Sequence, residues 1–191
     1  MSTPPFEPGL IDEMRPIPSW PKVIGIISIC WGALGLVCTG CGGLWYALGP
    51  QWLAQQPGMG ELPPSMKPTG AMWLVLAAGL GLAGLLIGAG VTCTMRRPVA
   101  RPLHLVYAVL ALLVGVVSTY VQWQTMVAMN QWVAENPDSQ FAKQHNAAGQ
   151  MAGLVAGLVI GNAWPLFALV WFGAVKRTRE SFGPPPEPTL V

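Results

Sequence analysis

The charged residues of this chain leave four long gaps, and those gaps constrain the fold more than any motif does. No Asp, Glu, Lys or Arg lies between Lys22 and Glu61, between Lys67 and Arg96, between Arg101 and Glu135, or between Lys143 and Lys176. A helix needs about 20 mostly apolar residues to cross a hydrocarbon core of about 30 Å, and each gap can hold one. Inside lipid every backbone N–H and C=O needs a partner within the protein, which leaves helices or closed barrels. The apolar runs are continuous and do not alternate every second residue, so the pattern is helical. Composition agrees: 9% of the 191 residues are charged and 52% are hydrophobic, where soluble domains carry roughly 25% charge. Ten Lys+Arg against eight Asp+Glu give no basic footprint for a nucleic-acid partner. The sequence therefore predicts an all-α integral membrane protein built as a four-transmembrane-helix bundle, with the lipid bilayer as its first partner.

Local punctuation sets the expected limits. The first helix covers 21–48, with Ser19 as a cap candidate, Pro21 at an early position and Gly49-Pro50 as the stop. The second covers 69–95, from a Thr69 cap to Arg96-Arg97-Pro98. The third covers 102–135. The fourth covers 137–179, opened by Asn136 as cap, Pro137 at the first position and Asp138 in the first turn. At 1.5 Å per residue the stretch 137–176 is about 58 Å long, so helices three and four form a long helical hairpin that projects past the bilayer. Arg15, Lys22, Arg96, Arg97, Arg101, Lys176, Arg177 and Arg179 are eight of the ten Lys+Arg. They fall in the two tails and the turn between helices two and three. By the positive-inside rule both termini are cytoplasmic and the hairpin is extracytoplasmic, in what reads as a bacterial plasma (inner) membrane protein. Residues 21–179 form the membrane domain. The flanking 1–20 and 180–191 are Pro-rich tails that favour extended polyproline conformations.

The most regular internal pattern is a glycine zipper in helix four. Gly149, Gly153, Gly157 and Gly161 recur every fourth residue, which keeps them on one helix face. Gly84 and Gly88 make one such pair in helix two, and Ser28 and Gly32 a related one in helix one. Small residues let helix backbones approach in lipid, where packing and weak hydrogen bonds replace the hydrophobic drive. The expectation is a close helix seam, within the bundle or between copies in a homo-oligomer or with a membrane-protein partner. Asn162 follows the stripe as the most deeply placed amide, expected to act as polar glue between helices. Pro165 should kink the same helix.

Reactive constellations are sparse. Cys38 and Cys41 form a C-x-x-C in helix one and are the candidate redox pair. A C-x-x-C in a four-helix membrane protein is similar in topology to the quinone-linked disulfide-generating enzymes and vitamin K epoxide reductase. Those enzymes relay electrons to a second cysteine pair in an outer loop, and this chain has no cysteine in either outer loop. His104 reads as lying at the cytoplasmic start of helix three and His145 on the outer stem, so the membrane keeps them from sharing a metal ion. Glu135 and Asp138 near His145 lack ligand spacing. No ionisable residue falls in the middle of a span, where coupled transport would use one. No Ser/His pair shares a side of the membrane in a plausible sequence context. The expectation is therefore a non-catalytic protein without cofactor or metal, a scaffold or accessory subunit of a membrane assembly. The alternatives are an oligomeric pore or passive transporter, with Ser118, Gln122 and Asn162 along one wet path, and a thiol redox protein using Cys38 and Cys41.

Overall fold

The computed structural model describes residues 19–56, 62–175, 178 and 182. Most of both Pro-rich tails, and with them Arg15, Lys176, Arg177 and Arg179, lies outside the described residues. The described chain is helical without a strand: α1 Trp20–Ala54, α2 Gly70–Thr94, α3 Ala100–Glu135, α4 Gln140–Gln144 and α5 Ala147–Ala174, with a 3-10 turn at Pro64–Met66. Four of the helices are long and apolar enough to cross a membrane. Their outward faces carry large apolar side chains, among them Val23, Val37, Leu74, Val116 and Val170. A soluble monomer rarely exposes apolar surface on this scale.

Three limits differ from the sequence expectation. α1 does not stop at Gly49-Pro50 but carries Pro50 inside it to Ala54. Proline removes one backbone hydrogen bond, and helices in membrane proteins tolerate that loss when neighbours re-satisfy the freed groups. Here Trp45 and Trp52 meet edge to face across the site, 6.5 Å between ring centroids. The expected fourth helix is two helices. Asn136 ends α3, its side chain donating to the Trp132 carbonyl at 2.9 Å. Ser139 then caps α4 by accepting from Ala142 N–H at 3.0 Å. The backbone turns extended at His145, and Asn146 caps α5 by accepting from Gly149 N–H at 2.9 Å. Two N-cap residues seven positions apart thus replace the single cap read at Asn136. Finally, α5 ends at Ala174, short of the expected 179.

α2 ends in a tight reversal. Arg96 N–H bonds to the Cys93 carbonyl and Arg97 N–H to the Thr92 carbonyl, at 3.0 and 2.9 Å, and Arg96 takes φ 55°. This is a Schellman C-cap with arginine where glycine is usual.

α1 and α2 pack most intimately, through small residues. A Cβ on Gly25 would lie 2.7 Å from the Gly90 carbonyl oxygen, and one on Gly90 would lie 2.7 Å from the Gly25 carbonyl oxygen. Farther along, a Cβ on Gly32 would lie 3.0 Å from the Ala83 carbonyl oxygen. α2 packs on α3 and α3 on α5, while α1 and α5 share no comparable seam. They meet through aromatic rings near the chain termini. Trp31 stacks on Trp164 at 6.2 Å and Trp20 meets Trp171 edge to face at 6.1 Å. The buried core (Ile24, Leu86, Cys93, Ala100, Tyr107, Ala108, Ala168, Phe172 and Phe182) gathers at this terminal end. The bundle is tight at the end holding Trp20 and Phe182 and open toward the α3–α5 hairpin.

Candidate functional site

The open part of the bundle leaves a half-open cavity of about 740 Å³ bordered by α1, α2, α3 and α5. Its size falls within the roughly 300–1,000 Å³ of small-molecule sites. Trp31, Leu86 and Tyr107 line it toward the terminal end. Tyr46, Met72, Met129 and Gln150 line it toward the hairpin. The residues that α2 contributes are all apolar, among them Met72, Leu76 and Leu82. α3 adds Ser118, Thr119, Gln122 and Thr125, and α5 adds Gln150 and Asn162. No Asp, Glu, Lys, Arg or His is among the lining residues.

The glycine stripe of α5 forms part of this wall. Gly153, Gly157 and Gly161 border the cavity, and a Cβ on any of them would meet nothing within 4 Å. Gly149 is near only its own cap, Asn146, and Gly84 and Gly88 of α2 also face open space. The close approach inside the chain is made by Gly25, Gly32 and Gly90, with Gly43 against Leu76 and Gly115 against Asn162. Of the singled-out residues, the six glycines therefore make no helix seam within this chain.

Asn162 lies on the cavity wall. Its Nδ2 donates to the Leu158 carbonyl of its own helix at 2.7 Å. Among the described residues it makes no bond to another helix. Its Oδ1 instead approaches α3 at Gly115, where a Cβ would come within 2.9 Å of it. Ser118, Gln122 and Asn162 do border one cavity, and Gln122 Nε2 donates to Ser118 Oγ at 3.1 Å.

Cys38 and Cys41 sit mid-helix on α1 with exposed side chains, as does Cys30, and none of the three borders the cavity. Residues three apart on a helix hold their Cβ atoms about 5–6 Å apart. A disulfide needs about 3.5–4.5 Å, so the pair cannot close while α1 is intact. Cys93 is buried, and its Sγ donates to the Pro21 carbonyl at 3.4 Å.

The structure also joins two residues that the sequence kept apart. Ser28 of α1 and His104 of α3 are both 0% exposed, and Ser28 Oγ lies 3.0 Å from His104 Nε2. His104 Nδ1 lies 2.8 Å from the Ala100 carbonyl, an acceptor only, so Nδ1 carries a proton there. In the neutral ring Nε2 then accepts from the Ser28 hydroxyl, for which the Ile24 carbonyl at 2.9 Å is the competing acceptor. The imidazole stacks on Phe172 of α5, 4.2 Å between centroids. Arg101 Nε donates to the Phe172 carbonyl at 3.0 Å. A serine hydroxyl on an imidazole is the core of a nucleophile–base pair. This one lies outside the cavity and is fully buried, so it works as a latch joining α1, α3 and α5. The readable signal was Ala100-x-x-x-His104-x-x-x-Ala108, a histidine between two small residues on one helix face. Both alanines are fully buried beside it.

At the hairpin, His145 Nε2 bonds to Asn130 Oδ1 at 2.9 Å, and Phe141 packs between Trp132 and His145. The described residues contain no cluster of three or more His, Cys, Asp or Glu able to hold a metal ion.

Fold and cavity together define a class, the multi-pass helical membrane bundle with an uncharged interior cavity. Comparison with family profiles, curated proteins and solved structures finds nothing that matches the chain.

Proposed function

We propose that the chain is a non-catalytic scaffold or accessory subunit of a bacterial plasma-membrane assembly, with both termini cytoplasmic and the α3–α5 hairpin outside. The observation that carries this reading is the state of α5 between residues 147 and 161. Its side chains are exposed there except for half-buried Leu154, and a Cβ on Gly153, Gly157 or Gly161 would meet nothing within 4 Å. A span so little covered, bearing small residues at four-residue spacing, is suited to another helix laid along the open α1–α5 side. The orientation rests on Lys/Arg bias, and the non-catalytic reading on an uncharged cavity and a sealed Ser28–His104 pair. The test is gentle purification from the native membrane with mass spectrometry of what stays bound. A fixed partner in stoichiometric amount is expected. A lone chain showing turnover would overturn the proposal.

A second reading, a pore or passive transporter, is favoured by Ser118, Gln122 and Asn162 sharing one cavity. Against it stands the aromatic floor of Trp31 on Trp164. Flux through vesicles containing the pure chain would establish this second reading, and sealed vesicles would exclude it.

A further inference from the structure

We infer that the cavity is the binding site of a neutral membrane amphiphile, an apolar molecule bearing an uncharged hydroxyl or carbonyl group. The inference goes beyond the scaffold reading and concerns the chain before a partner helix covers its α1–α5 side. Charge selects first. With no ionisable side chain on the wall, a phosphate or ammonium group inside would be buried without a counter-charge, which is costly in a low-dielectric site. A neutral molecule meets no such penalty, and about 740 Å³ accommodates one of ligand size.

Hydrogen-bonding capacity selects next. The Thr119 and Thr125 hydroxyls already donate to the Gly115 and Val121 carbonyls, at 2.8 and 2.9 Å. Ser118 Oγ accepts from Gln122, which leaves its own proton free to donate. Gln122 Oε1 and Asn162 Oδ1 remain as acceptors, and the Gln150 side chain makes no hydrogen bond among the described residues. These groups sit on α3 and α5, while the α2 wall is apolar throughout. A molecule that hydrogen-bonds on one flank and is hydrocarbon on the other matches that division. In the chain without its partner helix, the bilayer supplies such molecules sideways, through the α1–α5 side, where α1 and α5 share no seam of their own.

The test uses the pure full-length chain in phosphatidylcholine vesicles with a photoreactive dioleoylglycerol. A photoreactive phosphatidic acid with the same acyl chains is the charged control. Peptide mass spectrometry locates the labelled residues. The expected result is saturable labelling by the diacylglycerol probe within 72–86 and 150–162. The charged probe should mark only outward faces. Competition by unlabelled dioleoylglycerol would identify a glyceride hydroxyl as the recognised group. Competition by a long-chain quinone instead would identify a carbonyl. Gly157→Leu projects a side chain into open space and should abolish saturable labelling while leaving elution volume unchanged and Tm no lower. Gly153→Leu, equally open, serves if the first variant does not fold. Equal labelling by both probes, labelling confined to outward faces, or full labelling of a folded Gly157→Leu chain would each overturn the inference.

Discussion

Gly25→Ala and Gly157→Ala add the same methyl group to two helices, and the structure assigns them opposite effects. Both gain about 1 kcal/mol of helix propensity over glycine. At Gly157 nothing stands within 4 Å of the new carbon, so that gain is the whole effect. At Gly25 the new carbon would lie 2.6 Å from Thr94 Cγ2, 2.7 Å from the Gly90 oxygen and 2.8 Å from the Thr94 nitrogen. Two of those neighbours are backbone and cannot rotate away. Thr94 is held in its rotamer by a 2.7 Å bond from its hydroxyl to the Val91 carbonyl. Ordinary contacts are about 3.5–4.0 Å between carbons, so α1 and α2 must separate by the better part of an ångström. A gap of about 0.5–1 Å forfeits a quarter to a half of each contact along the seam, and overpacking of this kind costs about 1–3 kcal/mol. Taking about 2 kcal/mol for the clash, Gly25→Ala should fall below the parent by about 1 kcal/mol and below Gly157→Ala by about 2 kcal/mol. That difference corresponds to a Tm gap of about 4–8 °C for a chain of this size. The assay is reversible unfolding in mixed mild-detergent and SDS micelles, followed by circular dichroism. Equal stability of the two variants, or a loss at Gly157 as large as at Gly25, would refute the assignment of the seam.

Other outcomes follow from the same geometry. Ser28→Ala should cost about 1–3 kcal/mol by leaving His104 Nε2 buried without a partner, and adding His104→Leu should recover part of the loss; strict additivity in that double-mutant cycle would mean the latch is not formed. Asn146→Ala should cost about 1 kcal/mol by removing the α5 cap and should speed amide exchange from Ala147 to Gly149; unchanged exchange would argue for one continuous helix across His145. A membrane-permeant maleimide should label Cys30, Cys38 and Cys41 and reach Cys93 only on unfolding; rapid labelling of Cys93 would place α1 away from it. Mild oxidant should not bridge Cys38 and Cys41 within one chain, and a bridge seen by peptide mapping would show that α1 unwinds there.

The spans were legible because charge is excluded from lipid: each of the four gaps between charged residues holds one long helix. The hairpin was legible only in part. Asn136-Pro137-Asp138 looks like a helix start, yet Asn136 closes α3 instead, and the working caps are Ser139 and Asn146. The sequence left open which surface the glycine stripe packs against. A stripe such as Gly153, Gly157 and Gly161 shows which face of α5 is small and says nothing about what stands opposite. The glycines in contact, Gly25, Gly32 and Gly90, are spaced less regularly because each is fixed by its neighbour on the other helix. His104 was hidden by sequence distance. Its partner Ser28 lies 76 residues earlier, and only the packing of α3 against α1 brings them together. The cavity depends on how the helices are rotated and where α1 leaves α5, neither of which a single sequence records.

The distribution of contacts along the chain bears on the order of assembly. The seam that joins Gly25 and Gly32 to Ala83 and Gly90 is complete once Thr94 has been synthesised, and so is the bond from Cys93 to Pro21. Helices in bilayers form individually before they associate, and N-terminal units generally fold first during synthesis. The α1–α2 pair can therefore mature while the rest of the chain is still being made. The Ser28 hydroxyl must then wait for His104, and His104 for the ring of Phe172, so the C-terminal helix is the piece that seals the polar latch. A chain truncated before α5 should be inserted and paired, with its histidine still wet.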